Sequence, residues 1–493
     1  MTEIHVVGGG LAGSEAAFQL AERGHRVVLH EMRGVRGTAA HQTDRLAELV
    51  CSNTFKSTEV TNAHGLLKAE MRLLGSLILQ AADSARVAAG SALAVDRDLF
   101  SAAVHERLMQ HPNIHVTREE VTAVPAAPAL IATGPLTSDA LAESIRARLG
   151  VQSLAFYDAI APIVARESID ENVAFRAARW NKETAPVEAR ERAQWGAGAQ
   201  AQGGAGTRGR EEATATPNTP PYPVHPTVPV SVPQEGAYFN CPMDKAQYEA
   251  FIDALSAADQ FTAHEFDAVP YFEGCMPVEE MARRGRESLR FGPMKPVGLR
   301  DPRTGKRPWA VVQLRAEDRG GRMWNIVGCQ TRLRIPEQQR VFRMIPGLEN
   351  AEFLRFGSIH RNTYLNAPGA LTPHLSLRDD PMVLFAGQLT GVEGYTESTA
   401  TGLVAAINLT RLLRGDAPVV PPAETMLGAL YRHLRDADPA HFQPMNANFG
   451  LLDELVDAPR DKQKKREQYA DRSLAAMARW VTELGVAGGA PPR

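Results

Sequence analysis

The chain has 493 residues, of which 44% are hydrophobic and 23% are charged, and its net charge is −3 at pH 7. This length predicts two or three globular domains with large buried cores. The small negative charge gives no global argument for nucleic-acid binding, so an RNA partner would require a local basic patch.

The start of the chain and its cysteines exclude several classes of protein. "MTEIHVVGGG" lacks a basic region followed by a long apolar run, and no apolar stretch of about eighteen residues occurs, which predicts a soluble cytoplasmic protein without a membrane partner. The four cysteines lie far apart and show no metal-binding spacing, so we expect free thiols, no disulfide and no metal. They are Cys51, Cys241, Cys275 and Cys329.

The first element pattern is that of a dinucleotide-binding unit. Residues 4–7, "IHVV", predict a buried strand, and "GGGLAGSEAAFQLAERG" predicts a glycine turn and a helix. Gly8, Gly10 and Gly13 form the G-x-G-x-x-G pattern that lets the backbone approach a pyrophosphate. The next predicted strand, "RVVLHE", ends in Glu31, eighteen residues after Gly13, where a carboxylate can accept ribose hydroxyls.

The same glycine pattern recurs at Gly204, Gly206 and Gly209, but in a different context. No apolar strand precedes it and no amphipathic helix follows it. The surrounding run, 181–234, is rich in Ala, Gly, Pro and Thr and cannot bury enough surface to become ordered. We therefore interpret it as a disordered insertion.

Two later segments favour FAD over NAD as the cofactor. "ALIATG" (129–134) predicts a strand of small residues ending in Thr133 and Gly134. "MVLFAGQLTG" predicts a strand at 382–385 and a glycine turn at Gly387, before a long helix. Both features are typical of two-dinucleotide-domain flavoproteins, although either alone is compatible with an ordinary α/β crossover.

These patterns predict an α/β fold with an FAD-binding, Rossmann-like domain of the two-dinucleotide-domain flavoprotein type. Its two parts are 1–165 and 345–493, and 166–344 form an inserted α+β domain. Within the insertion, alternating runs at 309–317 and 322–335 predict antiparallel strands.

Positive charge is concentrated in two places. Residues 283–307 contain nine Lys or Arg and two acidic residues, and Lys462 to Arg466 form a second cluster. Basic side chains presented from turns suit contacts with the phosphates of folded RNA. A solvated surface is the plain alternative for either cluster.

Several motifs together resemble one family. "VVGGGLAGSEAA", "DRLAELVCSNTFKS", "YFNCPMDKAQY", "FGPMKPVGLRDPRTGKRPWAVVQLR" and "AGQLTGVEGYTESTATGL" resemble the folate- and FAD-dependent tRNA uracil-5-methyltransferases, the GidA-related TrmFO family. The resemblance covers nearly the whole chain. It fails only between Arg179 and Ala237, where this chain is longer than the family pattern.

The resemblance implies methylation of carbon 5 of uridine 54 in the T-arm of tRNA. The carbon donor would be 5,10-methylenetetrahydrofolate, which is converted to tetrahydrofolate, and reduced FAD would be the reductant. NADPH or NADH would recharge the flavin. Two alternatives remain: the same chemistry on a ribosomal RNA uridine, and a flavoprotein that mainly binds or folds tRNA.

The resemblance also implies a set of site residues at the glycine turns and strand ends. The implied FAD contacts are Gly8, Gly10, Leu11, Ala12, Gly13, Glu31, Thr133, Gly134, Gly387, Gln388, Gly394 and Thr399. His360 and Asn362 match a family stretch near the flavin, and His41 is a candidate for positioning flavin or folate; structural hydrogen bonding is the alternative for each. Cys275 and Cys329 match no functional position and are expected to be packing residues.

Cys51 and Cys241 are the implied catalytic thiols. Carbon 5 of uracil is a poor nucleophile, and a thiolate that adds to carbon 6 turns the ring into an enolate able to attack a methylene group. A second group must then remove the proton from carbon 5. We favour Cys241 as the nucleophile, because it shares the inserted domain with the basic cluster, and Cys51 as the thiol on the flavin side. The capping residues Ser52 to Thr54 predict that Cys51 lies near a helix N-terminus.

Overall fold

The structure of the chain, a computed structural model, describes residues 3–38, 40–150, 154–179, 237–261 and 276–485, without the side chains of 154–158 and 359–363. The segment 181–234 and Cys275 therefore lie outside the described residues, as do the side chains of His360 and Asn362.

The first part of the chain alternates strands and helices. Its elements are β1 (Glu3–Val7), α1 (Leu11–Glu22), β2 (Arg26–Glu31), β3 (Thr54–Ser57), α2 (Ala63–Leu73), α3 (Leu77–Ser84), β4 (Arg86–Val87), β5 (Ala92–Val95), α4 (Arg97–Met109), β6 (Ile114–Arg118), β7 (Ala129–Ile131) and α5 (Asp139–Leu149).

The middle part is richer in strands. Its elements are β8 (Leu154–Ala159), β9 (Ile163–Ala165), β10 (Phe175–Arg176), β11 (Tyr238–Met243), α6 (Lys245–Ala257), α7 (Val278–Arg283), α8 (Ser288–Phe291), β12 (Ala310–Ala316), β13 (Met323–Ile326), α9 (Ile335–Phe342) and β14 (Phe353–Arg355).

The last part returns to the first domain and ends in helices. Its elements are β15 (Ile359–Tyr364), α10 (Ala367–Ala370), β16 (Val383–Phe385), α11 (Tyr395–Leu413), α12 (Met426–Asp436) and α13 (Lys462–Glu483). No helix among the described residues is long and apolar enough to span a membrane.

A five-stranded sheet in the order β16-β7-β1-β2-β6 forms the centre of the first domain, and every pairing in it is parallel. β1 lies in the middle of this sheet, and Ile4 and Val6 on it are fully buried. The chain runs from β1 outward to β2 and β6 and then returns to β7 on the other side. The strand order therefore reverses between β1 and β7, and a crevice at the carboxyl ends of such strands is where α/β folds bind ligands.

Two glycines allow close backbone contacts between the helices and the turn beside this sheet. A Cβ at Gly13 in α1 would lie 1.8 Å from the carbonyl oxygen of Gly8. A Cβ at Gly402 in α11 would lie 2.2 Å from the carbonyl oxygen of Ala12, so α1 and α11 meet backbone to backbone. This contact brings the start of α11 next to the glycine turn after β1.

A small antiparallel sheet, β3-β5-β4, is built from the segment between β2 and α4. Its buried Phe55 packs against the rings of Phe100 and Tyr395, with centroids 5.5 and 5.6 Å away. This sheet positions the loop that contains Cys51 beside the start of α11.

The inserted domain has its own sheet and its own hydrophobic core. Six antiparallel strands follow the order β10-β11-β12-β13-β9-β14. The sheet begins at Ile163, three residues before the expected limit of 166, and ends at Arg355, eleven residues after the expected limit of 344. β8 and β15 pair with each other in an antiparallel ribbon where the chain passes between the two domains.

The predicted fold class is confirmed: a Rossmann-like α/β domain with an inserted α+β domain. One predicted strand, over 322–335, is much shorter than expected, because β13 covers only Met323–Ile326. Gly328 follows with φ +76°, a conformation that leaves the extended region and ends the strand.

Candidate active site

The turn after β1 forms one wall of a cavity. Gly8 has φ +103°, which side chains with a Cβ rarely adopt, and Gly13 packs directly beneath it. Gly10 differs from both, because a Cβ there would meet no atom within 4 Å. Gly10 therefore faces open space in the cavity, next to the N-terminus of α1, the kind of place where backbone N–H groups bind phosphate.

The end of β2 forms the next wall. The Glu31 carboxylate accepts hydrogen bonds from the backbone of Gly9 at 3.0 Å and from Arg33 Nη2 at 2.7 Å. Burial alone would raise the pKa of Glu31, but the hydrogen bond and charge of Arg33 lower it by more, so the group is ionised. Arg33 Nη1 is buried without a hydrogen-bond partner in the described part of the chain, and Glu48 lies 3.7 Å away. The cavity wall thus contains a buried guanidinium that forms ion pairs with Glu31 and Glu48.

Most of the predicted cofactor residues line this single cavity. They are Gly8, Gly10, Leu11, Ala12, Glu31, Thr133, Gly134, Gly387 and Gln388.

Three predicted contacts are not among the lining residues. Gly13 packs against the Gly8 carbonyl, and Gly394 has φ +115° in the turn before α11. The Thr399 hydroxyl donates to the carbonyl oxygen of Tyr395 at 2.7 Å. All three support the cavity wall, and whether any of them also contacts FAD stays a prediction.

The cavity also contains residues that the sequence did not single out, including Arg33, Glu48, Tyr395 and Ser398. Tyr395 and Ser398 lie in the segment "GVEGYTES", so the motif pointed to the region without identifying the residues. His41 lines the cavity, and its Nδ1 lies 2.7 Å from the Thr38 hydroxyl. That placement is compatible with both roles expected for His41.

Cys51 lies beside this cavity and contacts Tyr395, which is 344 residues away in the chain. The Cys51 sulfur is 3.2 Å from the Tyr395 hydroxyl oxygen. The same oxygen accepts the backbone N–H groups of Cys51 and Ser52 at 3.0 and 3.1 Å. Ser52 to Thr54 do not cap a helix, because Thr54–Ser57 form strand β3, and the helix start next to Cys51 is instead that of α11, whose first residue is Tyr395.

The loop before Cys51 is held by Arg97 at the start of α4. Its Nη1 donates to the carbonyl oxygen of Leu49 at 2.6 Å, and its Nε donates to Glu317 of the inserted domain at 2.6 Å. On the other side of Cys51, the buried Asn53 side chain donates to the carbonyl oxygen of Ala316 and accepts from Arg315 Nε. The inserted domain thus contributes directly to the position of the Cys51 loop.

Cys241 lies in a different environment. Its side chain is fully buried in the core of the inserted domain, on the same face of β11 as Phe239 and Met243. Burial raises the pKa of the Cys241 thiol far above its usual value. As placed, Cys241 cannot contact RNA, which argues against its expected role as the nucleophile.

Cys329 is also fully buried in the core of the inserted domain, and burial raises the pKa of its thiol. This placement matches a packing residue.

The remaining predicted residues are placed as follows. His360 and Asn362 lie on β15, paired with Asp158 and Phe156 of β8, and their side chains are outside the description. Among residues 276–485 and the other described ranges, no group of three or more His, Cys, Asp or Glu could hold a metal ion.

The basic cluster at 283–307 is partly neutralised. Arg283 pairs with Glu280, Arg286 with Asp253, Arg290 with Glu287 and Arg303 with Asp301. The exposed cations Lys295, Arg300, Lys306 and Arg307 remain on the surface of the inserted domain.

Comparison with known proteins shows similarity over almost the whole chain. A family profile described as "Glucose inhibited division protein A" matches residues 3–195 and 227–417. The methylenetetrahydrofolate–tRNA-(uracil-5-)-methyltransferase TrmFO of Geobacter sulfurreducens is 51% identical over 482 residues, which cover 98% of this chain and 99% of the relative. The protein of the same name from Anoxybacillus flavithermus is 48% identical and covers 98% of this chain and 100% of its own length.

A solved structure gives an independent likeness in fold. GidA from Aquifex aeolicus superimposes with a TM-score of 0.64 at 15% identity, covering 99% of this chain and 74% of that protein. At this identity the likeness concerns the fold alone, and it includes both the parallel sheet and the inserted domain.

Proposed function

The chain belongs to the GidA family and, within it, to the TrmFO enzymes, and from this premise we propose that it methylates carbon 5 of uridine 54 in the T-arm of tRNA. The carbon donor is 5,10-methylenetetrahydrofolate. Its relatives are named for that folate and for tRNA uracil. The structural observation that carries the proposal is the thiol of Cys51 beside a cavity shaped for a dinucleotide cofactor.

FAD is the cofactor that we propose for this cavity, and the residues fit it. The open space at Gly10 suits a pyrophosphate, and Arg33 Nη1, which lies 3.7 Å from Glu48 and makes no hydrogen bond to the described residues, is a donor for a polar ligand. Glu31, held ionised by Arg33, is an acceptor for ribose hydroxyls. When bound in its reduced form, FAD supplies the reducing equivalents that convert the transferred one-carbon unit to a methyl group, and NADPH or NADH renews them.

The chain's own chemistry is the activation of uracil. A thiolate adds to carbon 6 of the ring, and the electrons displaced onto carbon 5 and its carbonyl make carbon 5 nucleophilic. After the one-carbon unit is attached, a base removes the proton from carbon 5 while the C–N bond between the methylene group and tetrahydrofolate breaks, and the thiolate leaves carbon 6 once the methylene group has been reduced to methyl.

The two thiols differ in how well they suit this role. Cys51 is only half-buried and lies beside the cavity, whereas Cys241 is enclosed in an apolar core with a raised pKa. We therefore propose Cys51 as the nucleophile, the reverse of the assignment that the sequence favoured. Cys241 stays a predicted second functional thiol, and that role requires its exposure when RNA binds.

The surface of the inserted domain supports the proposal that RNA is the substrate. Its exposed cations at Lys295, Arg300, Lys306 and Arg307 suit phosphate contacts. The same domain also holds the Cys51 loop through Glu317 and Ala316. RNA that binds to this domain would therefore contact the same domain that holds the loop with the Cys51 thiol.

Methyl transfer to defined RNA tests the substrate. Purified holoenzyme is incubated with NADPH, 5,10-methylenetetrahydrofolate labelled in the methylene carbon, and a tRNA transcript with uridine or cytidine at position 54. We expect label in 5-methyluridine from the uridine transcript alone. Label in ribosomal RNA instead of tRNA would show the alternative substrate, and tRNA binding without any label would favour a binding or folding factor.

A 5-fluorouridine transcript tests the nucleophile. The carbon-6 adduct forms on such RNA, but the fluorine cannot leave as a cation, so the enzyme remains covalently attached. We expect peptide mapping to place the adduct on Cys51, and Cys51→Ala to abolish both the adduct and methyl transfer while FAD remains bound. An adduct on Cys241 would restore the sequence-based assignment, and full activity of Cys51→Ala would refute the thiol mechanism.

A further inference from the structure

We propose that Phe291 of the inserted domain stacks its exposed ring against an unpaired base of the RNA substrate, while the cations beside it bind the neighbouring phosphates. The inference rests on the proposed function, because it takes RNA as the partner of this domain. The contact is non-covalent, and it involves neither Cys51 nor Cys241.

The first argument is the exposure of the Phe291 ring. Phe291 is the last residue of α8 and is 75% exposed. Val297, in the loop that follows α8, is also exposed. Single exposed apolar residues are common on protein surfaces, so exposure alone does not identify a binding surface. The surroundings of the ring therefore have to show whether a partner binds there.

The second argument is that the loop after α8 has a fixed backbone. The N–H of Val311 in β12 donates to the carbonyl oxygen of Met294 at 3.0 Å. Arg179 Nη1 donates to the carbonyl oxygens of Lys295 and Val297 at 2.6 and 2.8 Å. Because this backbone is already held in place, little conformational entropy is lost when a partner binds the loop.

The third argument is the row of cations and rings that positions Phe291. The guanidinium carbon of Arg290 lies 5.3 Å from the centre of the Phe291 ring and 3.9 Å from that of Trp309. The Lys245 Nζ atom lies 5.6 Å from the Trp309 ring. Such cation–π contacts orient the Phe291 ring, and its exposure leaves most of the ring accessible to a flat partner.

The fourth argument is the charge of the same surface. Lys295, Lys306 and Arg307 are exposed, and no ion pair joins them to any residue that the structure describes. Exposed cations suit a polyanion, and an exposed aromatic ring suits a ligand with flat apolar groups. Folded RNA provides both, because its phosphates are charged and its unpaired bases can stack on aromatic side chains.

The position of this loop relative to the candidate site supports the same partner. Arg179, which holds the loop, also donates from Nε to the Gln313 side chain of β12 at 3.0 Å. Arg315 lies two residues further along β12 on the same face, and its Nε donates to Asn53 at 2.8 Å. Two residues of a strand span about 7 Å. An RNA molecule bound at the candidate site therefore passes near this loop.

The affinity of FAD-bound protein for RNA tests the inference directly. A tRNA transcript labelled with a fluorophore at its 3′ end is titrated with wild type, Phe291→Ala, Phe291→Leu and Phe291→Tyr, and anisotropy is measured. We expect about ten-fold weaker binding for the Ala and Leu variants, since neither side chain can stack on a base, and nearly wild-type binding for Tyr. Melting temperatures should be unchanged, because the side chain is mostly exposed.

Phe261→Ala is the matched control for loss of an exposed ring. Phe261 is 50% exposed, and the guanidinium carbon of Arg334 lies 5.3 Å from its ring, the same distance as in the pair of Arg290 and Phe291. This variant should keep wild-type RNA affinity. Wild-type affinity in Phe291→Ala, or equal weakening in Phe261→Ala, would overturn the inference.

The salt dependence of binding separates phosphate contacts from stacking. For Lys295→Gln we expect the slope of log affinity against log salt concentration to fall by about 0.7–0.9, because one phosphate contact is lost. Phe291→Ala should keep the wild-type slope. Arg26→Gln is the control, since Arg26 is exposed at the start of β2, whereas the other end of this strand lines the cavity. A reduced slope in Phe291→Ala would contradict stacking.

A fully paired RNA duplex tests whether the ring contacts a base. Its bases are already stacked on one another, so wild type and Phe291→Ala should bind it equally. A similar loss of duplex affinity in Phe291→Ala would contradict stacking on an unpaired base. A lower molar mass of Phe291→Ala in solution, with unchanged RNA affinity, would assign the surface to a second copy of the chain and would also overturn the inference.

Methyl transfer separates this inference from the proposed function. If both are correct, Phe291→Ala raises the KM for tRNA about ten-fold and changes kcat little, because stacking away from the reacting base is lost equally in the ground state and the transition state. Wild-type protein that binds tRNA through Phe291 but transfers no methyl group would refute the proposed function alone. An active wild-type enzyme with unchanged affinity and KM in Phe291→Ala would refute the role of Phe291 alone.

Discussion

At the scale of single residues, the glycines of one motif do different physical work. Gly8 adopts a left-handed φ, and Gly13 allows α1 to contact the Gly8 carbonyl, so both are needed for the turn to form. Gly10 has φ −76° and open space where its Cβ would be. The turn can therefore form without a glycine at position 10. We expect Gly10 to be needed only because a ligand in the cavity occupies the space next to it.

This difference predicts that Gly10→Ala weakens FAD binding, whereas Gly13→Ala destabilises the fold. Gly10→Ala should fold with an unchanged melting temperature in its FAD-free form and bind FAD at least about ten-fold more weakly, because the methyl group occupies the space for the pyrophosphate. Gly13→Ala should destabilise the FAD-free form by about 1–3 kcal/mol, since its Cβ overlaps the Gly8 carbonyl.

Flavin absorbance after dialysis and thermal unfolding followed by circular dichroism measure the two effects. If Gly10→Ala retained wild-type FAD affinity, the phosphate would lie elsewhere in the cavity. A wild-type protein that neither contains nor takes up flavin would contradict the cofactor assignment as a whole.

At the scale of elements, a buried lysine joins α2 to the small sheet. Lys68 is fully buried, and its Nζ donates to the carbonyl oxygens of Phe55 in β3 and His64 one turn earlier, both at 2.8 Å. Burial, followed by the charge of Arg72, lowers the pKa of Lys68 to about 7. These hydrogen bonds thus orient Phe55, which packs against Tyr395. Their cost is the desolvation of the Lys68 amine, which disfavours its charged form in the core.

The lowered pKa of Lys68 predicts a pH-dependent stability. Between about pH 7 and 10.5 the unfolded chain binds this proton and the folded chain releases it, so stability rises with pH in that window. We expect the free energy of unfolding of the wild type, relative to Lys68→Met, to rise by up to about 1.4 kcal/mol per pH unit from pH 7 to 10.

Urea unfolding at several pH values measures this difference. The exposed Lys462 on α13 provides the control variant Lys462→Met, whose stability relative to the wild type should stay constant over the same window. A constant difference for Lys68→Met as well would show that Lys68 keeps its proton in the folded protein.

At the scale of the whole molecule, the segment 181–234 interrupts the inserted domain. The described residues on either side of this segment lie close together. Arg176 in β10 pairs with Phe239 in β11, and the Ala177 N–H donates to the Tyr238 carbonyl at 3.1 Å. Paired residues of antiparallel strands lie about 5 Å apart, so a short turn can join them. The segment between them is not needed to span a distance.

We therefore predict that deleting 181–234 and joining the ends with a short Gly-Ser linker preserves folding and methyl transfer. Shortening a long connection changes the loop entropy by only about 0.6 kcal/mol per halving of its length. Soluble yield, melting temperature and methyl transfer to tRNA measure the outcome.

Loss of soluble protein after this deletion would show that the segment contributes to the core. A large fall in tRNA affinity with an unchanged melting temperature would instead give the segment a role in RNA binding.

Local patterns in the sequence were sufficient for much of the fold. β1, the glycine turn, α1 and β2 follow from apolar periodicity and from dihedral preferences that act within a few residues. The family and the fold class were identified from such motifs and are confirmed. The alternation in "YFNCPM" also contained a signal for Cys241, because it places this residue on the same face as Phe239 and Met243.

The tertiary structure alone decided how the candidate site is assembled. It decided which face of β11 is covered by a core, and therefore that Cys241 is enclosed. It also decided that Tyr395 contacts Cys51 across 344 residues and that Glu317 of the inserted domain holds the Cys51 loop through Arg97. No periodicity reports such contacts, because they depend on how separate layers pack together after each element has formed, whereas sequence patterns reflect forces between near neighbours in the chain.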